Sequence, residues 1–214
     1  VDAWIITASD LLNELKYYVK GYNDSNVSNS LEKLIKENSQ QVSSAYASSI
    51  LIDNKYSNED YAEALKLIRS TVAEYPGYVR IGYIKDREKD ILSESLSAST
   101  NNLYAGVENK LQVSYRNVTS MKMNLYSMDS SITPIDIYNN PDTRDIIKKK
   151  GSLVNSNVYN LTKFNDYKFH NEDVAIRIDN PGIYYLELQT ENGVKDGRII
   201  TVTSFLPFIQ ALPG

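Results

Sequence analysis

Apolar residues recur every three or four positions up to about Leu92, then alternate with polar ones from about Leu111 onward. The first rhythm is that of helices with one buried stripe, the second that of half-buried strands. A chain that runs helix after helix and then strand after strand builds separately packed layers. The predicted fold class is therefore α+β in two domains. A helical domain over 1–92, made of antiparallel helical hairpins or a bundle, precedes an antiparallel β-sandwich domain over 93–214.

Within the helical part, Ala8, Leu11, Leu12, Leu15, Val19 and Tyr22 share one face, and Gly21 with Asn23-Asp24-Ser25 reads as a stop. Leu31, Leu34, Ile35, Val42, Ala45, Tyr46 and Ile50 form a second stripe, expected as one helix ending near Asp53. Ser57 stands where an N-cap belongs, with Asp60 three residues later, ahead of the stripe Tyr61, Leu65, Ile68 and Val72. Tyr75-Pro76-Gly77 breaks that helix. Tyr78, Ile81, Ile84, Ile91 and Leu92 predict a fourth. The stretch Ser57–Leu92 has the length of one tetratricopeptide-like hairpin.

In the second part, Leu111-Val113-Tyr115 and Met121-Met123-Leu125 alternate on either side of a turn at Asn117. A turn cluster at Tyr138–Asp142 and a short helix over Thr143–Lys150 follow. Further strands are expected at Val158–Leu161, Tyr167–Phe169 and Val174–Ile178. Asp179-Asn180-Pro181-Gly182 then turns the chain into Ile183–Leu188, and Glu191-Asn192-Gly193 turns it into Arg198–Val202. About seven short strands in this order describe a sandwich, with a small open barrel as the alternative.

Composition narrows the chemistry. The chain has 214 residues, 17 tyrosines and no cysteine. Tyrosine suits half-buried strand faces, and in a second reading it lines a ligand groove. Without cysteine there are no disulfides, thiolate nucleophiles or zinc–thiolate sites. The net charge of −4 sits in residues 1–96, where 11 basic side chains face 15 acidic ones; the remainder balances, 12 against 12. Lys148-Lys149-Lys150 stands alone as a basic run, so no footprint for a nucleic acid is expected. No apolar run approaches the ~20 residues that span a bilayer. The first residue is Val1, and the stretch Phe205–Gly214 is uncharged and apolar. The chain is therefore expected to be a piece of a longer protein, with its targeting segment upstream.

Candidate chemistry is sparse. His170, the one histidine, is expected beside a strand end near Glu172 and Asp173, exposed or simply hydrogen-bonded. The acidic pairs Glu59-Asp60 and Glu172-Asp173 lack the ligand spacing of a calcium loop. No nucleophile elbow, phosphate loop or dinucleotide fingerprint occurs. Asn26, Asn117 and Asn160 head Asn-x-Ser/Thr triplets, as chance produces in a chain rich in Asn and Ser. No catalytic, cofactor-binding or metal residue is assigned, and no enzymatic activity is expected.

Three stretches carry a resemblance. They are the Tyr75-Pro76 turn with its helix into Leu92-Ser93, the stretch Leu111–Thr119 with its strand end Tyr115-Arg116-Asn117-Val118, followed by Met121–Tyr126, and the hairpin Pro181–Leu188 with its return strand Gly197–Ser204. In this order they resemble the amino-terminal region of large bacterial alpha-2-macroglobulin-like proteins, particularly those of the Bacteroides kind. The resemblance covers most of 60–210. It implies a helical segment before a first macroglobulin-type, immunoglobulin-like sandwich, in an envelope-anchored or periplasmic lipoprotein that traps proteases. The family's thioester needs a cysteine and no bait segment is identifiable, so this region would be scaffold. Its partners would be neighbouring macroglobulin domains and, through the whole protein, target proteases. Phe205, Leu206, Phe208 and Ile209 would pack on the next domain or close over their own sandwich. Two other classes compete. One is a carbohydrate-binding or adhesion sandwich with a helical spacer, which an exposed row of Tyr or Trp would mark. The other is a helical adaptor docking a peptide between its helices.

Overall fold

The computed structural model describes residues 2–128, 147 and 149–204. The chain divides into two compact units. One holds the chain up to Ser93 together with Asn165–Lys168, and the other runs from Glu94 to Phe164 and from Phe169 onward.

Five helices are described in the first unit: α1 (Asp2–Tyr18), α2 (Asp24–Glu37), α3 (Ser44–Ser57), α4 (Tyr61–Glu74) and α5 (Ile81–Leu92). The segment Asn23-Asp24-Ser25, read as a stop, is the start of α2. The Asn23 side chain accepts from the N–H groups of Ser25 and Asn26, at 3.0 and 3.2 Å, while Asn26 Oδ1 accepts from the Asn23 N–H. This is a capping box with Asn at both ends. The stripe expected as a single helix is two, because Asn38 ends α2: its main-chain N–H and its side-chain amide both bond the Leu34 carbonyl. Ser57 is the last residue of α3 rather than an N-cap; Asp60 takes the position before α4.

Two hydrophobic clusters fill this unit. Ala45, Ile52, Ala64, Leu65, Ile68, Ile84 and Ile91 pack with Tyr75 and Tyr78. Ile5, Val27, Leu31, Leu34, Ala47 and Leu51 form the other. Helix α3 supplies both, so it is buried on two sides, and its Ser44, Ala45, Ala47, Ser48 and Ser49 are small enough to let neighbours approach. The buried face of α1 differs from the predicted one. Ile5 and Ser9 are buried, whereas Leu11 is 60% exposed and Val19 also faces out. Within α1, Ser9 donates to the Ile5 carbonyl, a polar group satisfied inside its own helix.

The second unit contains eight described strands: β1 (Ser95–Thr100), β2 (Leu103–Tyr104), β3 (Glu108–Arg116), β4 (Ser120–Ser127), β5 (Ser152–Asn160), β6 (His170–Arg177), β7 (Gly182–Thr190) and β8 (Gly193–Thr203). They form a three-stranded sheet ordered β1-β3-β6 and a five-stranded sheet ordered β2-β8-β7-β4-β5. All pairs are antiparallel except β2 with β8, which is parallel and corrects the all-antiparallel expectation. Leu111, Val113 and Tyr115 of β3 join Val174 and Ile176 of β6, Met121, Met123 and Leu125 of β4, and Tyr184, Leu186 and Leu188 of β7 in one core. Each such burial contributes about 1.5–3 kcal/mol.

No strand forms at Tyr167–Phe169; Tyr167 has a positive φ of 60°, which extended backbone excludes. Asn117 turns the chain between β3 and β4 at φ 58°, as its residue type allows. Of the predicted helix over Thr143–Lys150, only Ile147, Lys149 and Lys150 are described, and they are helical. The turn at Tyr138–Asp142 and the tail from Phe205 lie outside the described residues.

Candidate functional site

A cluster of polar contacts in the β unit lies at the end of β3, at Tyr115-Arg116-Asn117-Val118, the stretch that carries the resemblance. The Tyr115 hydroxyl donates to Glu172 Oε1 at 2.6 Å and lies 3.0 Å from the Thr162 carbonyl oxygen. Glu172 Oε1 also accepts the Thr162 N–H at 3.0 Å. The Arg116 guanidinium lies over the Phe169 ring, 4.9 Å from its centre. Val118 is buried in the core. His170 stacks on Phe164 at 3.6 Å with the rings nearly parallel, and Tyr115 lies beside it at 6.3 Å.

Electrostatics follow from these contacts. Burial, and then the bond to Glu172, push the Tyr115 hydroxyl up to about 12. The Glu172 carboxyl is held below the ordinary carboxylate range, chiefly by the Thr162 and Tyr115 hydrogen bonds. A phenol kept neutral and a carboxylate kept charged make a fixed donor–acceptor pair. They pin the segment after β5 to the strands beneath it.

The second motif is built the same way. The Tyr184 hydroxyl donates to the Asn180 carbonyl at 2.8 Å, across the turn that carries Pro181 and Gly182. The turn takes the chain from β6 in one sheet to β7 in the other. A tyrosine bonded to the backbone a few residues upstream, at such a corner, locks sandwich strands in register.

A third polar group went unseen in the sequence. Glu187 is fully buried on β7 and accepts from Asn124 Nδ2 at 3.3 Å and from Gln189 Nε2; Ser156 donates to Asn124 Oδ1 at 2.8 Å. On the same outward face of β7, Tyr185 packs with Ile147 and, partly, with Tyr126 and Met128. Both positions alternate with the core residues Tyr184, Leu186 and Leu188, so they lie on the opposite face of the sheet, and nothing local in the sequence announces their burial.

The remaining candidates separate. Asp60 accepts from Lys55 Nζ at 3.3 Å, and Glu59 has a left-handed φ of 57°. Asp173 pairs with Lys110 at 3.5 Å on the sheet surface, apart from the role of Glu172. Trp4 is 58% exposed on α1. Tyr104, Tyr115, Tyr126, Tyr159, Tyr184 and Tyr185 on the strands are all buried or half-buried. Clefts of about 210 and 230 Å³ occur in the helical unit and one of about 160 Å³ in the β unit. These are smaller than typical small-molecule sites, at about 300–1,000 Å³. Among the described residues no group of three or more His, Asp or Glu side chains is placed to hold a metal, and no helix is long and apolar enough to cross a membrane.

No family model matches this chain, and no curated protein does. Solved structures are similar to parts of it. A β-glucosidase from Listeria innocua in complex with glucose matches 53% of this chain and 16% of its own, at 12% identity and a TM-score of 0.32. Native alpha-2-macroglobulin from Escherichia coli, spanning domains NIE-MG1, matches 52% of this chain and 61% of its own, at 13% identity and a TM-score of 0.33. The match thus spans less than two thirds of each of these proteins.

Proposed function

We propose that this chain is a non-catalytic scaffold segment of a bacterial alpha-2-macroglobulin-like protease inhibitor of the cell envelope. The observation that carries this reading is the use made of the residues that bear the resemblance. Tyr115 anchors Glu172 and the Thr162 backbone, Arg116 caps Phe169, Asn117 makes the left-handed turn, and Tyr184 ties the Pro181-Gly182 corner. Tyr115, Asn117 and Tyr184 hold backbone in place and Arg116 covers a ring; Tyr184 also borders the cleft of about 160 Å³ with Arg177 and Asp179, where its hydroxyl is committed to the Asn180 carbonyl. In immunoglobulin-like lettering the sheets read A-B-E and C′-C-F-G, with β2 added beside G, which supports a macroglobulin-type sandwich. The helices before it would be the hairpin segment that precedes the first such domain. In this role the chain carries no reaction of its own. It would meet neighbouring macroglobulin domains directly and proteases only through the complete inhibitor.

The test compares this chain with the complete protein to which it belongs. Added in excess to a panel of secreted proteases, the chain alone leaves cleavage of a large protein substrate unchanged, while the complete protein slows it. Inhibition by the chain alone, no protection by the complete protein, or retardation of the chain in polysaccharide gels would each overturn the proposal. The last outcome would favour the carbohydrate-binding alternative.

A further inference from the structure

The described sheets have four edge strands, and an open edge offers unpaired main-chain groups to any passing strand. Three of the four are blunted from within. On β1 the Ala98 N–H is capped by Asp196 Oδ2 at 2.9 Å. On β2, only two residues long, the Asn109 side chain accepts the Tyr104 N–H at 2.8 Å and donates to the Tyr104 carbonyl at 2.9 Å. The third, β6, carries Glu172, Asp173 and Arg177 along its length. The fourth, β5, has none of these devices over most of its nine residues, Ser152–Asn160. It holds no charged residue and no proline, and Leu153, Val154 and Val158 are 54%, 50% and 68% exposed. Its one irregularity is a bulge near Val154; Asn155–Asn160 stays in unbroken register with β4.

We infer that β5 is the docking edge for a second copy of this chain, the two β5 strands pairing antiparallel about a two-fold axis at Ser156. In such an isologous contact each residue near the axis meets its own counterpart, so a charge there would face a like charge. The uncharged strand avoids that penalty. With the bulge counted as one step, Leu153 of one copy faces Val158 of the other, and Asn155 faces Asn157. Apolar meets apolar and amide meets amide. A strand of different sequence would need pockets or opposite charge for recognition; β5 carries no charge, and the cleft of about 160 Å³ that it borders lies at its bulge, at Val154 and Asn155, and not around Ser156. Pairing would join the two five-stranded sheets into one continuous sheet.

Sedimentation velocity of the full chain over a concentration series tests the inference. A reversible dimer is expected, weakened at least about tenfold by Val158→Lys. That substitution sits at an exposed position, so an unchanged circular dichroism melt separates lost pairing from lost folding. The absence of native cysteine makes a second readout clean. Ser156→Cys should form a disulfide-linked dimer under mild oxidation faster than Asn102→Cys, at an exposed position away from β5. A monomer at every concentration, a dimer indifferent to Val158→Lys, or equal cross-linking of the two cysteine variants would overturn it.

Discussion

The Tyr184 hydroxyl reaches back 2.8 Å to the main-chain carbonyl of Asn180, closing the corner by which the chain leaves one sheet for the other. The ring itself belongs to the sandwich core, so packing and hydrogen bond act on the same residue. Tyr184→Phe keeps the ring and removes the bond. A loss of about 1 kcal/mol is expected, near the net worth of one hydrogen bond. It should appear as a lower urea midpoint by far-UV circular dichroism, with faster amide exchange around the corner at 178–184. Tyr184→Ala also empties core volume and should cost about 3–5 kcal/mol.

The Tyr115–Glu172 pair makes the β unit sensitive to pH at both ends. The Glu172 carboxyl titrates below its unfolded value in the fold, so its contribution is complete at neutral pH and is lost as pH falls through the folded value. The Tyr115 hydroxyl is raised to about 12, so its contribution is complete below the unfolded value and is lost as pH climbs through about 12. Chemical denaturation across acidic pH should therefore show a decline that Glu172→Gln flattens. In an alkaline absorbance titration, Tyr115→Phe should remove one late-ionising phenol. An acid limb equally steep in Glu172→Gln would show that other carboxylates govern it.

A third prediction separates the sequence pattern of α1 from its packing. Periodicity alone placed Leu11 in the core, yet it is 60% exposed and Ile5 is fully buried. Ile5→Ala should cost about 2–5 kcal/mol through the cavity it leaves. Leu11→Ala should stay within about 0.5 kcal/mol of the parent. Fluorescence of Trp4, the single tryptophan, one residue from Ile5, reports unfolding of this unit in both variants.

The change from helical to strand rhythm was legible because each regime repeats over many residues. Leu111, Val113, Tyr115, Met121, Met123 and Leu125 all reach the core where alternation put them. What escaped has physical causes. The break after Asn38 depends on two bonds to the Leu34 carbonyl, while Val42 and Ala45 carried the apolar rhythm across it. Strand β1 is half serine, with Leu96 and Ala98 its only apolar residues, so its alternation is faint. Burial of Glu187 on the outward face of β7 comes from tertiary cover, which no local pattern records. At the candidate site, the Tyr115 and Tyr184 positions were visible as motifs. Glu172 and Asn180 stood out too, in an acidic pair and in a turn, but neither they nor Thr162 could be matched to these tyrosines, because the partner is chosen by the fold.

Two glycines provide the last prediction, since neither is required by backbone angle and both are required by space. A Cβ at Gly151 would lie 2.5 Å from the Ser127 carbonyl oxygen and 2.7 Å from that of Ile147. Both obstacles are backbone, and the Gly151 N–H donates to the Ile147 carbonyl, so neither can swing aside. At Gly197 the Cβ would meet the Tyr185 hydroxyl at 2.1 Å and its ring carbon at 2.9 Å. Tyr185 is a side chain, but it is buried against Ile147 and has little room to retreat. Gly151→Ala and Gly197→Ala should each destabilise the β unit by about 1–3 kcal/mol, as overpacking does. Removing the obstructing ring distinguishes them. Tyr185→Leu should recover most of the loss in Gly197→Ala and none of it in Gly151→Ala, measured as coupling free energies in two double-mutant cycles.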